Sequence, residues 1–384
     1  MWVYMRIPST GRARIMAAQQ IYRGAPMFTA DDHRYMARAL QIAAHGLYTS
    51  MPNPRVGCVI VKDKRLVGEG WHQRAGTPHA EIHALAMAGV AARGATVYVT
   101  LEPCSHHGRT PPCAEALINA GVTRVVAAMR DPNPLVAGQG IQMLTLADIR
   151  AEVGLTEAEA RTLNPGFISR MTRHRPWVRL KTASTLDGKT ALANGQSQWI
   201  TGAAARADVQ KLRARACAIL TGSGTILADN PRMNVRDFEI GRQPLRVVVD
   251  SDLRTPANAA ILPALIACHA AAPERRSALE QAGAEVIELP GGNGCVDLDA
   301  LLNELARRGV NELHVEAGAT LNGALLAAGL VDEWIAYIAP MTLSNDARGL
   351  FNLAPLDSLE RAARFRLADV RQIDGDLRLT LRPN

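Results

Sequence analysis

The feature that most constrains this chain is a group of metal-binding residue types between Pro78 and Cys113. The segment begins P-H-A-E and ends P-C-S-H-H-G-R-T-P-P-C. Zinc takes about four tetrahedral ligands, and a catalytic site supplies three so that the fourth position is open to water. Bound water then ionises near pH ~7 and becomes a nucleophile. We predict that His79, Cys104 and Cys113 bind one zinc ion and that Glu81 moves protons beside it.

The local pattern supports a single site. His79 directly precedes a helix predicted for Ala80–Ala92, whose first turn presents N–H groups that favour anions. The apolar β-run Val97–Leu101 ends just before Cys104, and a second helix is predicted for Ala114–Ala120. Ligands at a strand end and two helix starts form a coherent metal site. Zinc-dependent base deaminases use this order of His, Glu and two Cys.

Other histidines are open to more than one interpretation. His83 lies four residues after His79 on the same helix face, so it is an alternative ligand, although we expect a structural role. The order H-x-E-x-H is not the H-E-x-x-H of metalloproteases. His106 and His107 are expected in a loop, as substrate contacts or solvated residues.

Composition excludes several classes of protein. The 384 residues are 48% hydrophobic, and no apolar run reaches the length of about eighteen residues that spans a membrane. We therefore expect no membrane partner. The remaining cysteines, Cys58, Cys217, Cys268 and Cys295, are scattered, which is typical of a reducing compartment and predicts a cytoplasmic protein.

The net charge of +7 is concentrated in a short N-terminal tail. Residues 1–26 contain Arg6, Arg12, Arg14 and Arg23 and no acidic residue, and the rest of the chain is close to balanced. We therefore expect no nucleic-acid partner. Residues 1–27 are predicted to be a leader or a disordered tail.

Helices and strands alternate through the first part of the chain, which favours an α/β sandwich. The predicted elements are a helix capped by Asp31 or Asp32 that runs through Leu47, strands Val56–Val61, Leu66–Trp71 and Val122–Met129, and a closing helix over 156–172. A charged joint that ends at Pro176 follows. We therefore place one domain at 28–173 and a second at 174–384.

The second domain contains two glycine-bearing turns between a strand and a helix. Predicted strands Ala218–Leu220 and Glu312–Glu316 run into Gly222–Thr225 and Ala317–Gly323. Backbone N–H groups at such turns approach phosphate closely. No G-x-G-x-x-G follows the first strand of the domain, so the common dinucleotide motif is absent. The residues alone indicate a phosphate or nucleotide binder.

Segments that match a known family cover nearly all of the chain after residue 27. They are MPNPRVG (51–57), GWHQRAGTPHAE (70–81), TLEPCSHHGRTPPC (100–113), DPNP (131–134), STLDG (184–188), SQWIT (197–201) and VEAG (315–318). The chain resembles the bifunctional riboflavin-biosynthesis deaminase-reductases of bacteria. The C-x8-C spacing is particular to that family, whereas many zinc deaminases have C-x-x-C. Thr185 and Met51 depart from the family's usual Ser and His.

The resemblance implies an N-terminal domain of the cytidine-deaminase type, with three αβα layers, and a C-terminal domain like dihydrofolate reductase. The first domain would use zinc hydroxide to deaminate 2,5-diamino-6-(5-phosphoribosylamino)pyrimidin-4-one. The second would use NADPH to reduce the ribosyl side chain to ribityl. The chain would then be a hydrolase and an NADP-dependent oxidoreductase, with a small pyrimidine ribotide as substrate and a homo-oligomeric assembly.

The resemblance also assigns roles to residues, with Glu81 as the catalytic proton carrier. The implied cofactor contacts are Ala183, Trp199, Thr225, Asp229, Gly318, Ala319, Thr320, Leu321 and Asn322. The implied substrate contacts are Asn53, Arg109, Lys181, Ser197, Arg213, Arg232, Met233, Arg236 and Glu316. Of these, Arg213 and Arg236 are expected to bind the substrate phosphate. Arg206 and Arg215 are expected on a solvated helix face.

Two other functions remain as alternatives. A zinc-dependent nucleotide or tRNA base deaminase with an appended nucleotide-binding domain would share the zinc chemistry. It would predict C-x-x-C and a basic, aromatic-bearing face, and the observed C-x8-C spacing and balanced charge oppose it. A non-catalytic sensor is expected to have lost Glu81 or a ligand, and the sequence keeps all four residues.

Overall fold

A computed structural model describes residues 28–105, 111–134, 136–237 and 239–384. The predicted leader or tail, residues 1–27, lies outside the described residues. Within the described ranges, no helix combines the length and the apolar character needed to cross a membrane. The described residues form two α/β units, one around a five-stranded sheet and one around a nine-stranded sheet.

The first unit contains the five-stranded sheet and the helices around it. Its elements are α1 (Ala30–Ala43), β1 (Gly57–Lys62), β2 (Arg65–Trp71), α2 (Ala80–Ala88), β3 (Thr96–Val99), α3 (Cys113–Asn119), β4 (Arg124–Ala127), α4 (Gln139–Leu146), β5 (Arg150–Val153), α5 (Glu157–Leu163) and α6 (Pro165–Arg173). The strand order is β2-β1-β3-β4-β5. β1 pairs antiparallel with β2 and β3, and β3, β4 and β5 are parallel.

Glycines in β1 and β2 let α1 and α2 pack closely on opposite faces of this sheet. A Cβ on Gly57 would come 2.1 Å from the carbonyl oxygen of Ala39 in α1. A Cβ on Gly70 would come 2.7 Å from the carbonyl oxygen of Ala80 in α2. Gly70 pairs with Cys58, the neighbour of Gly57, and successive strand residues point to opposite faces. Helices therefore cover both faces, which confirms the predicted αβα layering.

Two predicted boundaries differ from the observed ones for local reasons. Helix α1 is capped by Thr29 and not by Asp31 or Asp32, because Thr29 and Asp32 each accept a hydrogen bond from the other's backbone N–H. The predicted closing helix is divided into α5 and α6. Asn164 leaves helical geometry at φ −122° and ψ 40°, because the ring of Pro165 disfavours the helical region for the residue that precedes it.

The second unit follows α6. Its elements are β6 (Trp177–Thr185), β7 (Lys189–Ala191), α7 (Ala203–Arg215), β8 (Ala218–Gly222), α8 (Ser223–Asp229), β9 (Leu245–Val249), β10 (Leu265–Cys268), α9 (Pro273–Gln281), β11 (Glu285–Glu288), α10 (Leu298–Arg307), β12 (Glu312–Val315), α11 (Ala319–Ala327), β13 (Glu333–Ala339), β14 (Arg348–Gly349), β15 (Phe365–Ile373) and β16 (Asp376–Pro383). The large sheet has the order β11-β10-β9-β8-β12-β6-β13-β16-β15, and β7 pairs with β14. In this order, the seven strands from β11 through β13 are parallel to their neighbours. The β15–β16 hairpin forms an antiparallel edge next to β13.

The central strands β6 and β12 have one apolar face and one charged face. Val178, Leu180, Leu313 and Val315 belong to one hydrophobic cluster. Because side chains alternate along a strand, the residues between them point to the other face. There they meet charged residues of α7. This charged group is formed by Glu312 and His314 of β12, Glu316 after β12, Arg179 and Lys181 of β6, and Arg213 and Arg215 of α7.

Arg215 departs from the expectation of a solvated helix face. Its Nε donates to Glu312 Oε2 at 2.7 Å, and Glu312 is fully buried. That prediction was therefore wrong, because the helix face that carries Arg215 packs on a sheet face with charged residues. Arg206 instead lies over the ring of Trp199, 4.3 Å from its centroid.

Candidate active sites

Three elements bring the predicted metal ligands together. His79 precedes α2, Cys104 follows β3 and Cys113 begins α3. Nδ1 of His79 lies 3.6 Å from Sγ of Cys104 and 3.3 Å from Sγ of Cys113. A tetrahedral zinc ion with Zn–N near 2.0 Å and Zn–S near 2.3 Å requires N···S distances of about 3.5 Å. The donor set and its spacing therefore fit zinc.

The surroundings favour the thiolate that zinc requires. The backbone N–H of Cys113 donates to Cys104 Sγ at 3.2 Å. The side-chain contact with Cys113, followed by that with His79, lowers the pKa of the Cys104 thiol to about 4, although burial opposes this. The contact with the Cys104 thiolate, followed by burial, raises the pKa of Cys113. A divalent cation would offset that repulsion, so metal binding and ionisation of the second thiol are coupled.

Glu81 lies beside the ligands on the first turn of α2. Its side chain is buried, and burial, followed by the charge of Cys104, raises the pKa of Glu81 to about 7. A carboxyl group that titrates near neutrality accepts and releases protons with little cost. The position and the pKa of Glu81 both suit proton transfer at the metal site.

Asn53 reaches the same site through His72. Asn53 Nδ2 lies 3.1 Å from His72 Nε2, and the His72 ring packs edge-on against His79 with centroids 5.3 Å apart. His72 Nδ1 lies 3.3 Å from the carbonyl oxygen of Pro78, which assigns the proton to Nδ1 and leaves Nε2 to accept from Asn53. Burial lowers the pKa of His72 to about 4, so its ring is neutral near pH 7. Sequence reasoning missed His72, although it lies in the matching segment 70–81.

The remaining predictions for the first unit divide in two. Arg109, His106 and His107 lie outside the described residues. His83 lies on α2, but the donor cluster found among the described residues consists of His79, Cys104 and Cys113. The structural interpretation of His83 is consistent with this cluster.

In the second unit, the two glycine-bearing turns lie side by side. A Cβ on Gly318 would lie 3.8 Å from Thr225 Oγ1, and a Cβ on Gly222 would lie 3.6 Å from Leu321 Cδ2. Strands β8 and β12 are parallel neighbours, so α8 and α11 start at the same edge of the sheet. Ligands of open α/β sheets bind at this carboxyl edge.

The predicted cofactor contacts around these turns differ in exposure. Gly318, Thr320, Asp229 and Trp199 are exposed, Thr225, Ala183 and Ala319 are partly buried, and Leu321 and Asn322 are buried. Asn322 Nδ2 donates to the carbonyl oxygen of Ala317 at 3.0 Å, and its buried Oδ1 has no hydrogen-bond partner among the described residues. Exposed backbone at the start of α11 fits a phosphate group, as a dinucleotide requires.

A buried ion pair lies next to the turns. Arg213 donates from Nε to Glu316 Oε1 and from Nη2 to Glu316 Oε2, the latter at 2.9 Å. Burial alone would raise the pKa of Glu316, but the Arg213 guanidinium outweighs burial and holds this pKa well below its usual range. Burial lowers the pKa of Lys181, whose charge interacts with both residues. The structure thus brings together three of the predicted substrate contacts.

Among the other predicted substrate contacts, Met233 touches this pair. Arg213 also donates to the carbonyl oxygen of Asn234 and contacts buried Met233, so its guanidinium is engaged within the protein. Arg232 and Arg236 are exposed on the same segment. These two cations are therefore better placed than Arg213 to bind a phosphate. Ser197 is partly buried in the loop before α7.

One cation near the turns was missed from the sequence. Arg254 Nη2 lies 3.3 Å from the hydroxyl of Ser223, the first residue of α8, and about half of the Arg254 side chain is exposed. It follows β9 at the same carboxyl edge as the two turns. An arginine shortly after a predicted parallel strand is a signal that could have identified it.

Comparisons with known proteins cover both units. Residues 29–129 match the cytidine and deoxycytidylate deaminase zinc-binding region, and residues 176–379 match the RibD C-terminal domain. The riboflavin biosynthesis protein RibD of Escherichia coli is 50% identical over 363 residues, which cover 91% of this chain and 99% of that protein.

Solved structures give the same result. Acinetobacter baumannii RibD has a TM-score of 0.86 at 47% identity, and the match covers 92% of this chain and 99% of that one. A diaminohydroxyphosphoribosylaminopyrimidine deaminase/5-amino-6-(5-phosphoribosylamino)uracil reductase from Thermotoga maritima has a TM-score of 0.81 at 32% identity, with the same coverage. The donor set, the two sheets and these likenesses agree: the chain belongs to the RibD family of bifunctional riboflavin-biosynthesis enzymes, which join a zinc-binding deaminase domain to a reductase domain.

Proposed function

We propose that this chain deaminates diaminohydroxyphosphoribosylaminopyrimidine and then reduces 5-amino-6-(5-phosphoribosylamino)uracil with NADPH. One observation carries the proposal. A His-Cys-Cys donor set beside Glu81 and a buried Glu316–Arg213 pair beside two phosphate-type turns occur on the same chain. The Thermotoga maritima relative bears both activities in its name.

In the deamination, His79, Cys104 and Cys113 would hold zinc, which when bound supplies a Lewis acid that activates water. Glu81 accepts a proton from the attacking water, delivers it to the ring nitrogen and assists departure of the amino group. One water is consumed and one ammonia is released, and the amidine carbon becomes a carbonyl carbon. Burial of Glu81 supports this role, because it raises the pKa toward neutrality.

Asn53 and Arg109 complete the proposed deaminase site. Asn53 donates one amide hydrogen to His72 and keeps its second hydrogen and its oxygen for the pyrimidine edge or a ribose hydroxyl. Arg109, which the family resemblance assigns, would meet the ribotide phosphate.

In the reduction, NADPH supplies the hydride when it is bound. Its phosphates would lie over the turns formed by Gly222–Thr225 and Gly318–Asn322, with Asp229, Ala183 and Trp199 along the rest of the cofactor. Arg254 beside Ser223 offers a further cation for a cofactor phosphate. The adjacency of the two turns supports this arrangement.

The ribotide would lie against the Glu316–Arg213 pair. Arg213 holds Glu316 in place, and Glu316 accepts hydrogen bonds from sugar hydroxyls. The sugar carbon C1′ of the opened, imine-like ribotide gains the hydride, and the neighbouring nitrogen gains a proton, for which Lys181 is the nearby source. Arg232 and Arg236 would bind the phosphate, with Ser197 and Met233 lining the site.

One experiment tests both activities. Purified zinc-loaded protein is incubated with the diaminopyrimidine ribotide, and the products are identified by mass spectrometry with and without NADPH. We expect the deaminated ribotide alone without NADPH, and its ribityl product when NADPH is present. Unchanged ribotide in both reactions contradicts the proposed deamination, and a deaminated product that NADPH leaves unchanged contradicts the proposed reduction.

We also propose that the chain is a cytoplasmic homo-oligomer. All six cysteines are unpaired, which fits a reducing compartment. The edge hairpin β15–β16 exposes apolar side chains, with Leu367 at 57% and Val370 at 51% exposure, and an exposed sheet edge favours pairing with a second copy. Sedimentation of the protein and of Val370→Asp tests this surface. A monomeric wild-type protein contradicts the assembly.

A further inference from the structure

The loop that carries Asn53 is held by residues of the reductase unit. The carbonyl oxygen of Pro52 accepts a hydrogen bond from Asn311 Nδ2 at 2.7 Å. Arg55 Nη1 donates to Glu312 Oε1 at 2.7 Å, and these two side chains are 3% and 0% exposed. Asn311 is the residue before β12, and Glu312 is the first residue of that strand. The start of one reductase strand, with the residue that precedes it, therefore contacts the deaminase loop on both sides of Asn53.

Met51 adds a third contact of the same kind. Its sulfur accepts a hydrogen bond from the thiol of Cys217, the residue before β8. The backbone N–H of Asn311 in turn donates to the Cys217 sulfur at 3.2 Å. The loop that carries Asn53 therefore also contacts the residue before β8.

Arg55 links the loop to the remainder of the first unit. Its Nη1 also donates to the carbonyl oxygen of Leu163 and its Nη2 to that of Leu47, while the Asn164 side chain bonds to both the N–H and the carbonyl oxygen of Arg55. The base of the loop is thus fixed by buried contacts. Pro52 itself is exposed, so the Asn311 amide is a specific restraint near the loop tip.

The opposite side of the loop faces the metal site. Asn53 bonds to His72, whose ring packs against the ligand His79. Asn53 is adjacent to Pro52 in the chain, so a displacement of the Pro52 carbonyl moves the Asn53 side chain relative to the ligands. The restraint from Asn311 therefore bears on the geometry of substrate binding.

We infer that Asn311, a residue of the reductase unit, is a positioning residue for the deamination: its amide holds Pro52 and thereby sets the orientation of Asn53. The inference rests on the proposed role of Asn53 as a substrate contact. It also means that one strand serves both reactions, because β12 starts next to the deaminase loop and leads into Glu316 of the reductase site.

Asn311→Asp separates this role from a general structural one. The substitution keeps the size of the side chain and the oxygen that accepts from Arg170 Nε, and it removes the N–H that donates to Pro52. Asn311→Ser is the second variant if the aspartate prevents folding. Arg173→Ala is the matched control, because Arg173 joins α6 to Asp332 of the reductase unit without touching the Asn53 loop.

Full-length zinc-loaded variants are assayed for deamination of the diaminopyrimidine ribotide and, separately, for reduction of the deaminated ribotide. We expect Asn311→Asp to raise KM for deamination about two- to tenfold, the size of one neutral hydrogen bond, with kcat, zinc content and reductase kinetics unchanged. Arg173→Ala should leave both reactions unchanged. An unchanged deamination KM, or an equal loss in both reactions, overturns the inference.

Asn53→Ala and the double variant Asn53→Ala/Asn311→Asp identify the route of the effect. If Asn311 acts through Asn53, the double variant has the same KM as Asn53→Ala alone. Multiplied effects overturn the positioning role. An unchanged KM in Asn53→Ala refutes the proposed substrate contact itself, and the inference falls with it; a raised KM in Asn53→Ala with a normal Asn311→Asp overturns the inference alone.

Discussion

The deaminase site takes its proposed metal ligands and Glu81 from residues 79–113, whereas the reductase site gathers its proposed residues from segments between 181 and 322. The first uses side chains with distinctive chemistry: an imidazole, two thiols and a carboxylate. The second depends largely on backbone at helix starts and on an ion pair between α7 and the residue after β12. Single substitutions should therefore abolish the first activity and, in most cases, only weaken the second.

The largest expected effect is at the zinc ligands. Cys104→Ala and Cys113→Ala should each lose bound zinc and all measurable deamination, because a catalytic zinc site with two protein ligands holds the ion poorly. Metal analysis and the two separate assays check this, with His83→Ala as the control that keeps zinc. Full zinc content in either cysteine variant would contradict the ligand set, and intact reduction would show that the damage is local.

Glu81→Gln should lower kcat for deamination by roughly 10²–10⁴-fold while zinc content stays normal, because the amide cannot carry the proton. Single-turnover deamination assays and metal analysis measure these effects. The reductase, supplied with deaminated ribotide, serves as the internal control. Near-normal turnover would remove Glu81 from the mechanism.

Glu312→Ala should mainly lower the free energy of unfolding. It should change the reacting groups of the two sites less. It leaves the buried Arg55 and Arg179 and the partly buried Arg215 without their shared partner, and breaking a buried pair in this way costs about 3–5 kcal/mol. The urea midpoint of the full chain reports the loss. Glu280→Ala, which removes an exposed ion pair with Arg276, is the control and should leave the midpoint nearly unchanged.

The ionisation of Glu312 should also make the stability of the fold depend on pH. Burial alone would raise the pKa of Glu312. The three arginines together outweigh burial and hold this pKa well below the ordinary value of 4.5. A carboxylate with a lowered pKa in the folded state stabilises the fold above its unfolded pKa, and the contribution is lost as the pH falls toward the folded one. Unfolding midpoints should therefore decrease less between about pH 6 and about pH 3 in Glu312→Gln than in the wild type. Equal acid sensitivity would contradict this assignment.

The smallest effect in this series concerns the reductase phosphate site. Arg236→Ala should raise KM for the ribotide by about tenfold, as expected for one hydrogen bond to a charged group, and leave KM for NADPH unchanged. Steady-state reduction assays with each ligand varied in turn measure both constants. Equal damage to the NADPH constant would place Arg236 at the cofactor instead and would weaken the contrast between the two sites.

The sequence by itself predicted most helices and strands, and it predicted the donor set, with Glu81 beside it, that the structure brings together. Zinc accepts few donor types at fixed distances, so His79, Cys104 and Cys113 are identifiable wherever the fold brings them together. Helices and strands follow from periodicity over neighbouring residues, which is also local information. The exceptions, such as the Thr29 cap, were local choices between adjacent candidates.

Only the tertiary structure decided which charged and polar groups contact each other. Arg215 pairs with Glu312, Arg213 with Glu316, and Asn311 with Pro52, across separations of 97, 103 and 259 residues. A charged or amide side chain accepts many partners, so its sequence position does not select one. The partner is set by which strands are neighbours and which face of α7 packs on them, and those relations exist only once the two sheets have formed.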